Sequence, residues 1–440
     1  MLKYVTDIKN GVYIKEEKIQ KKNLKNNLDN KIIIDIHKVI GQYLGMGSAL
    51  TESSAYNYSL LTKENKENFI KDCYSNNGLN YRYGRISIGS CDFSLKFYSY
   101  AKRKDLSDFN IEKDKEYLLP FLKDILKIRK VTFIASPWSP PRMYKNIKTY
   151  RFGMKLSKRY YEQYSNYLIK YLKFYQDEGI DISYITMQNE PLARQKWESC
   201  KYTIEEQKKF IYEYLLPKLK NTKLLLFDHN KDNLYQTVNS LYQKNNKIKG
   251  IAFHNYSGRH FEELKKIRMS YPNLMLINTE GCTGFSEYDE LLWIKDAEYY
   301  LYDIIGDFNN GANAYLDWNI LLNREGGPSH IKNPVKSILI LDKDNYIKTP
   351  IYYYVYHLSH FASLDMQIIK YDSSIKELDI LVLKNNVKLV IVVMNRKDID
   401  YEYNIIINNE YISDRINAHS IITYVNFFDK KTSNNEKNII

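Results

Sequence analysis

Eight short runs of β-branched or apolar residues recur through the first three quarters of the chain, and helix-patterned segments separate them. The runs are Tyr43 to Gly47, Tyr83 to Ile88, Val131 to Ser136, Ile182 to Met187, Lys223 to Phe227, Gly250 to Phe253, Leu274 to Asn278 and Ala314 to Trp318. Strand and helix alternating in this way predict a parallel sheet of βα units, and eight of them predict a closed (β/α)8 barrel, a TIM barrel of the α/β class. The clearest helix is Leu156 to Glu178, where Tyr160, Tyr164, Tyr167, Tyr171 and Tyr175 fall at steps of three and four residues. That spacing makes one face of a helix and turns it toward the barrel wall.

The pattern changes after Pro350. A helix-like stretch from Ile351 to Leu364 leads into short alternating segments at Met366 to Tyr371, Leu378 to Leu383, Lys388 to Val393, Glu402 to Ile407 and Ser420 to Val425, which read as antiparallel strands. Gly11 to Ile34 alternates in the same manner. The expected organisation is a catalytic barrel over 38–364 and a side β-sandwich built from 1–37 and 365–440, with Lys431 to Ile440 frayed.

Charge narrows the function classes. The formal net charge is +13, but lysines alternate with acids, as in Lys63, Glu64, Lys66 and Glu67, which reads as solvated helix faces and not as a nucleic-acid stripe. The run from Lys15 to Lys25 reads as a solvated strand edge. The 42 tyrosines, with abundant Lys, Asn and Ile, read as a coding bias. Cys73, Cys91, Cys200 and Cys282 are too scattered for a zinc knuckle or a disulfide framework. The first residues lack the apolar stretch of a signal peptide and no run is long enough for a membrane span, so a cytoplasmic location is expected.

Catalytic groups of such a barrel stand at the C-terminal ends of its strands. Glu190 ends the fourth run within Gln188-Asn189-Glu190-Pro191, and Glu280 ends the seventh within Thr279-Glu280-Gly281-Cys282. Two carboxyl groups across a barrel mouth suit glycoside hydrolysis, one as acid and one as nucleophile. Burial is expected to raise the pKa of the acid, while Arg85 or a tyrosine hydroxyl keeps the nucleophile ionised. Other run-ends contribute Arg85 to Ser94, Ser136-Pro137-Trp138-Ser139-Pro140-Pro141, His254-Asn255-Tyr256 and Asp317-Trp318-Asn319. Taken singly, Trp138 and Trp318 read as core, and His254 and Tyr256 as packing groups. Their joint placement at consecutive run-ends points to a site.

From about Gly41 to Leu364 the sequence resembles glycoside hydrolase family 30, the family of glucosylceramidases, β-glucosidases, β-xylosidases and β-1,6-glucanases, in its bacterial type. Gly45-Met46-Gly47, the segments above and Glu325-Gly326-Gly327-Pro328 carry the resemblance. It implies Glu190 as acid/base and Glu280 as nucleophile of a retaining double displacement on a β-glucoside, with a β-sandwich joining both chain ends. It implies Asn189 at the sugar 2-hydroxyl, Asp92 at hydroxyls on the far side of the ring, Trp138 and Trp318 as apolar walls, and Arg85, His254 and Tyr256 around the nucleophile. Neither cofactor nor metal is implied, and the partner is a small-molecule or oligosaccharide β-glycoside. A β-1,6-glucanase or β-xylosidase of the same mechanism, and a catalytically inactive sugar-binding barrel, are the alternatives. Where the family often has Asn-Trp after Gly-Gly-Pro, Ser329 and His330 follow here, on a rim loop expected to shape the leaving-group side together with Trp197 of the Gln195 to Cys200 segment.

Overall fold

The computed structural model describes residues 1–25 and 27–428; the expected fraying at Lys431 to Ile440 lies outside them. All eight runs form strands: β1 (Gly45–Ala49), β2 (Tyr83–Ile88), β3 (Thr132–Pro137), β4 (Ile182–Thr186), β5 (Lys223–Asn230), β6 (Ile248–His254), β7 (Met275–Gly281) and β8 (Ala314–Asp317). They close in chain order into one parallel barrel, β8 pairing with β1. The close approach of β1 and β2 requires glycine, since a Cβ on Gly47 would meet the Tyr83 carbonyl oxygen at 2.1 Å.

Alternation along the strands sorts side chains into two cores. Outward-facing residues such as Phe133, Ala135, Leu224 and Leu226 join the large core beneath the helices. Inward-facing Tyr83, Ile134, Leu225, Ala252, Ile277, Ala314 and Leu316 fill the barrel's lower interior. The tyrosine-rich helix is observed at Tyr161–Asp177. Tyr164, Tyr167, Tyr171 and Tyr175 are buried in the core, and Tyr98, Tyr100 and Tyr175 donate to Asp114 at 3.0, 2.7 and 2.6 Å.

The chain ends build one curled ten-stranded sheet. Leu2–Asp7 pairs with Ser420–Phe427, and the long strand Lys31–Gln42 pairs with Gln367–Ser373 on one side and Tyr401–Ile407 on the other. That long strand keeps the side sheet running through residue 38, where the barrel was expected to begin. Glu410–Ile416 is a strand the sequence pattern did not single out. The sheet curls far enough for the hydroxyls of Tyr403 and Tyr424 to meet at 2.6 Å across its apolar interior. Among the described residues no helix is long and apolar enough to cross a membrane, and all four cysteines are free thiols.

The helix Pro350–Ser359 joins the two units. Its His357 is fully buried between Thr423 Oγ1 (2.9 Å) and Thr6 Oγ1 (2.8 Å). Burial pushes this imidazole down to about 3. The unfolded chain takes up a proton here below an ordinary histidine value of about 6.5 and the folded chain does not, so stability is present above that pH and is lost as pH falls toward 3. Denaturant titrations are expected to lose about 4 kcal/mol through this one group, at about 1.4 kcal/mol per pKa unit. His357→Asn is expected to flatten the pH dependence within that window, and an unchanged slope would contradict the assignment.

Candidate active site

One step above the apolar barrel interior, the inward-facing positions become polar. Arg85 follows Tyr83 on β2, Ser136 follows Ile134 on β3, Thr186 follows Tyr184 on β4, His254 follows Ala252 on β6 and Thr279 follows Ile277 on β7, each two residues along its strand. All five converge on one carboxylate, Asp228 of β5. Arg85 Nη2 donates to Asp228 Oδ1 and Oδ2 at 3.1 and 3.0 Å, Ser136 and Thr186 donate to Oδ2 at 2.9 and 2.7 Å, and Thr279 donates to Oδ1 at 2.8 Å. His254 Nε2 lies 3.1 Å from Oδ1.

Asp228 was absent from the sequence-derived site. Simple alternation from Leu224 and Leu226 turns it outward. In the structure Ala252 pairs with Phe227 and Phe253 with His229, so a bulge skips Asp228, and φ of +78° at Phe227 and +55° at Asp228 swing its side chain inward. The fifth run was read as ending at Phe227, whereas the strand continues to Asn230. The three polar residues Asp228, His229 and Asn230 immediately after that run were the available signal. A second bulge, between Asn278 and Glu280, sets Glu280 opposite His254. Asn278, outward by ordinary alternation from Ile277, donates to Asp307 Oδ2 at 3.0 Å beside the buried Lys231–Asp307 pair.

Glu190 and Glu280 stand above this floor. Arg85 Nη1 donates to Glu280 Oε2 at 2.5 Å and Arg85 Nη2 to Asn189 Oδ1 at 2.8 Å. His254 Nδ1 faces both carboxylates, 3.6 Å from Glu190 Oε1 and 3.9 Å from Glu280 Oε2. Glu190 has φ of +47°, a costly backbone for a non-glycine residue, and is held there by the bond from its N–H to the Asp228 carbonyl (2.9 Å) and by Gln195 Nε2 on Oε2 (3.1 Å).

The sequence-derived residues divide into two layers. Asp92, Trp138, Asn189, Glu190, Tyr256, Glu280 and Trp318 line one cleft of about 250 Å³. Arg85 and His254 lie beneath it, fully buried against the carboxylates. Trp138 and Trp318 stack at 5.4 Å between centroids, with the Arg85 guanidinium 4.7 Å from the Trp138 ring. Tyr256 exposes its ring and turns its hydroxyl toward Cys282 Sγ at 3.5 Å. Asp317 is structural: Tyr81 and Tyr300 donate to it, and burial pushes it up to about 7. Asn230, Cys282, Asn333 and Val335 also line the cleft, beside Gln195 and Trp197.

The rim loop reaches the Gln195 to Cys200 segment, where His330 Nε2 lies 3.5 Å from Glu198 Oε2, and packs against Asp92. Ser329 Oγ donates to the Asp92 carbonyl (2.7 Å), Asn333 Nδ2 to Asp92 Oδ2 (3.0 Å), and His330 packs on Phe97 at 4.3 Å. The residues after Gly-Gly-Pro therefore buttress the Asp92 wall.

Charges within the site also differ from expectation. Burial would raise Glu190, but the charges of His254 and His229 and the hydrogen bond from Gln195 hold it below the ordinary value. Burial raises Glu280, and His254 and Arg85 offset this only in part. Burial and the neighbouring Glu280 likewise lift Asp92 well above the carboxylate range. The two glutamates are thus shifted opposite to the sequence expectation, because burial and the neighbouring Glu190 outweigh His254 and Arg85 at Glu280, whereas His254, His229 and Gln195 outweigh burial at Glu190. His254 itself would fall on burial, but Glu280, Asp228 and Glu190 push it up to about 9. Asp228, despite burial, is held far below the ordinary range by Arg85 and His254.

Comparison with known proteins identifies the barrel and its family. Residues 43–362 match the glycosyl hydrolase family 30 TIM-barrel domain. The chain is 31% identical over 376 residues to putative glucosylceramidase 3 of Caenorhabditis elegans, covering 78% of this chain and 71% of that protein. It superposes on SrfJ from Salmonella typhimurium with a TM-score of 0.93 at 26% identity, over 97% and 99% of the two chains. A solved endo-β1,6-glucanase superposes with a TM-score of 0.84 at 25% identity, over 96% and 98%.

Proposed function

The chain belongs to glycosyl hydrolase family 30, and on that premise we propose that it hydrolyses β-glucosides with retention of configuration, Glu280 acting as nucleophile and Glu190 as acid/base. The observation that carries the reading is the single imidazole nitrogen shared by two carboxylates above a buried Arg85–Asp228 pair. Retaining hydrolysis needs one carboxylate to attack the anomeric carbon and another group to deliver a proton to the departing oxygen.

The cleft supplies both. Arg85 orients Glu280 and stabilises its charge, and Asn189, oriented by the same guanidinium, lies where a sugar 2-hydroxyl is held beside the nucleophile. His254 carries the proton in the empty site. Substrate entry removes water from Glu190, disfavours its charged form and draws that proton onto it, ready for the leaving group. Formation of the glycosyl ester extinguishes the charge of Glu280. Glu190, ionised after protonating the leaving group, then takes a proton from the attacking water, and the bond from Glu280 to the anomeric carbon breaks. Asp92, enclosed in the cleft wall, meets sugar hydroxyls, with Trp138 and Trp318 as apolar walls.

A glucosyl unit is favoured by the relatedness to a putative glucosylceramidase and by the sugar-side set of Asp92, Trp138, Asn189 and Trp318. The likeness to an endo-β1,6-glucanase supports a second reading, a gentio-oligosaccharide substrate. Rates on aryl β-glucoside, aryl β-xyloside and gentio-oligosaccharides separate these. Glu190→Ala is expected to slow alkyl β-glucosides by about 10²-fold or more while sparing aryl glucosides with good leaving groups in the first step. Added azide is expected to restore turnover and yield the β-glucosyl azide. An α-azide, or equal losses on both substrate types, would refute the assignment of Glu190.

A further inference from the structure

Beside the catalytic cleft lies a larger one, of about 540 Å³, between the loops that follow β2 and β3. Lys96, Lys102, Arg142, Lys148 and Arg151 line it, and no acidic residue does. Among the described residues none of these five cations enters a salt bridge, although Lys–acid pairs are common elsewhere on the surface, as at Lys123–Glu178 and Lys173–Asp177. Like charges gathered in one concavity repel each other, and a multivalent anion relieves that repulsion.

The cleft also has an aromatic element. Phe97 and Tyr150 line it with ring planes 4° apart and centroids at 5.9 Å. Ser99 meets the Tyr150 hydroxyl at 3.1 Å. Flat faces of this kind suit the C–H side of a sugar ring, as hydroxyl-bearing neighbours suit its edge.

Its walls are tied in place. The buried Lys145 donates to Ser139 Oγ (2.9 Å), the Tyr150 carbonyl (3.2 Å) and the Ser199 carbonyl (2.8 Å), and Phe152 N–H bonds the Gln195 carbonyl at 2.8 Å. The same two loops carry Asp92 and Trp138 into the catalytic cleft, and the loop after β4 that ties them in place carries Trp197 there.

We propose that this cleft binds a phosphate-bearing sugar, the phosphate meeting the unpaired cations and the ring lying on Phe97 and Tyr150. Four exposed cations and a half-buried arginine exceed what one carboxylate neutralises, while a phosphate monoester offers two charges and three acceptor oxygens to lysine and the guanidinium forks. The proposal stands independently of the glycosidase reading, because its readout is binding.

Calorimetry with glucose 6-phosphate, glucose and inorganic phosphate tests it on the full chain. Glucose 6-phosphate is expected to bind about 10-fold or more tightly than either glucose or inorganic phosphate, with salt-sensitive affinity. The double variant Lys96→Gln, Lys148→Gln is expected to lose about 10-fold in that affinity while its rate on a neutral aryl β-glucoside stays at the parent value. Inorganic phosphate binding as tightly as glucose 6-phosphate would overturn the proposal, as would undiminished binding by the variant or stronger competition from duplex DNA.

Discussion

Glu280→Gln is expected to lose about 10³-fold or more in kcat on an aryl β-glucoside, with its fold and stability retained. The amide keeps the shape of the side chain but cannot form the glycosyl ester, so the covalent route is closed and only uncatalysed displacement in the same cleft remains. Stability holds because Glu280 is the more strained of the two glutamates electrostatically: burial raises its carboxyl, and Arg85 retains Asp228 and Asn189 as partners. The measurement is a kcat determination paired with a denaturant titration. Activity within about 10-fold of the parent, an interval of only about 1.4 kcal/mol in barrier, would exclude Glu280 as nucleophile.

Asp228→Asn is expected to damage both stability and activity although Asp228 does not line the cleft. Its carboxylate accepts from Arg85, Ser136, Thr186 and Thr279 and pairs with His254, all buried. An amide turns one acceptor oxygen into a donor facing other donors and takes from Arg85 and His254 the anion they share. Breaking one side of a buried ion pair costs about 3 to 5 kcal/mol. In the molecules that still fold, His254 loses the anion on Nε2, and its imidazole is expected to titrate clearly below the value of about 9 that it has in the parent. Arg85 and the Glu280 it orients lose their fixed position, for an expected drop of about 10²-fold in kcat/KM. Denaturant titration, NMR titration of His254 and kinetics check the three effects. A variant that is merely less stable, with the imidazole titration unmoved, would show that Asp228 does not hold the proton balance of the site.

The barrel was legible because its signal is periodic and repeated. Each of the eight runs from Tyr43 to Trp318 coincides with a barrel strand, and the tyrosine stripe from Tyr164 to Tyr175 packs where helical spacing puts it. The residues around the two glutamates were legible because strand ends concentrate them. What stayed hidden depends on breaks in that periodicity. Asp228 faces the barrel interior only because a bulge with two left-handed residues reverses its side, and no propensity of Phe227 or Asp228 announces that. The opposite shifts of Glu190 and Glu280 follow from burial balanced against groups brought together from distant parts of the chain, His254, His229 and Gln195 at Glu190 and His254 and Arg85 at Glu280. The cationic cleft was hidden for a similar reason. Lys96, Lys102, Arg142, Lys148 and Arg151 come from two loops, and in the chain they look like part of an evenly spread charge.

The assignment of Glu280 as a covalent nucleophile is tested most directly by trapping. Incubation with an activated 2-deoxy-2-fluoro-β-glucoside slows the second step more than the first, so an ester intermediate accumulates. Mass spectrometry of the intact chain is expected to show one added 2-deoxy-2-fluoroglucosyl group, and peptide mapping to locate it on Glu280. A label on Glu190 or Asp92, or no label while the enzyme releases α-configured sugar from an ordinary β-glucoside, would contradict it.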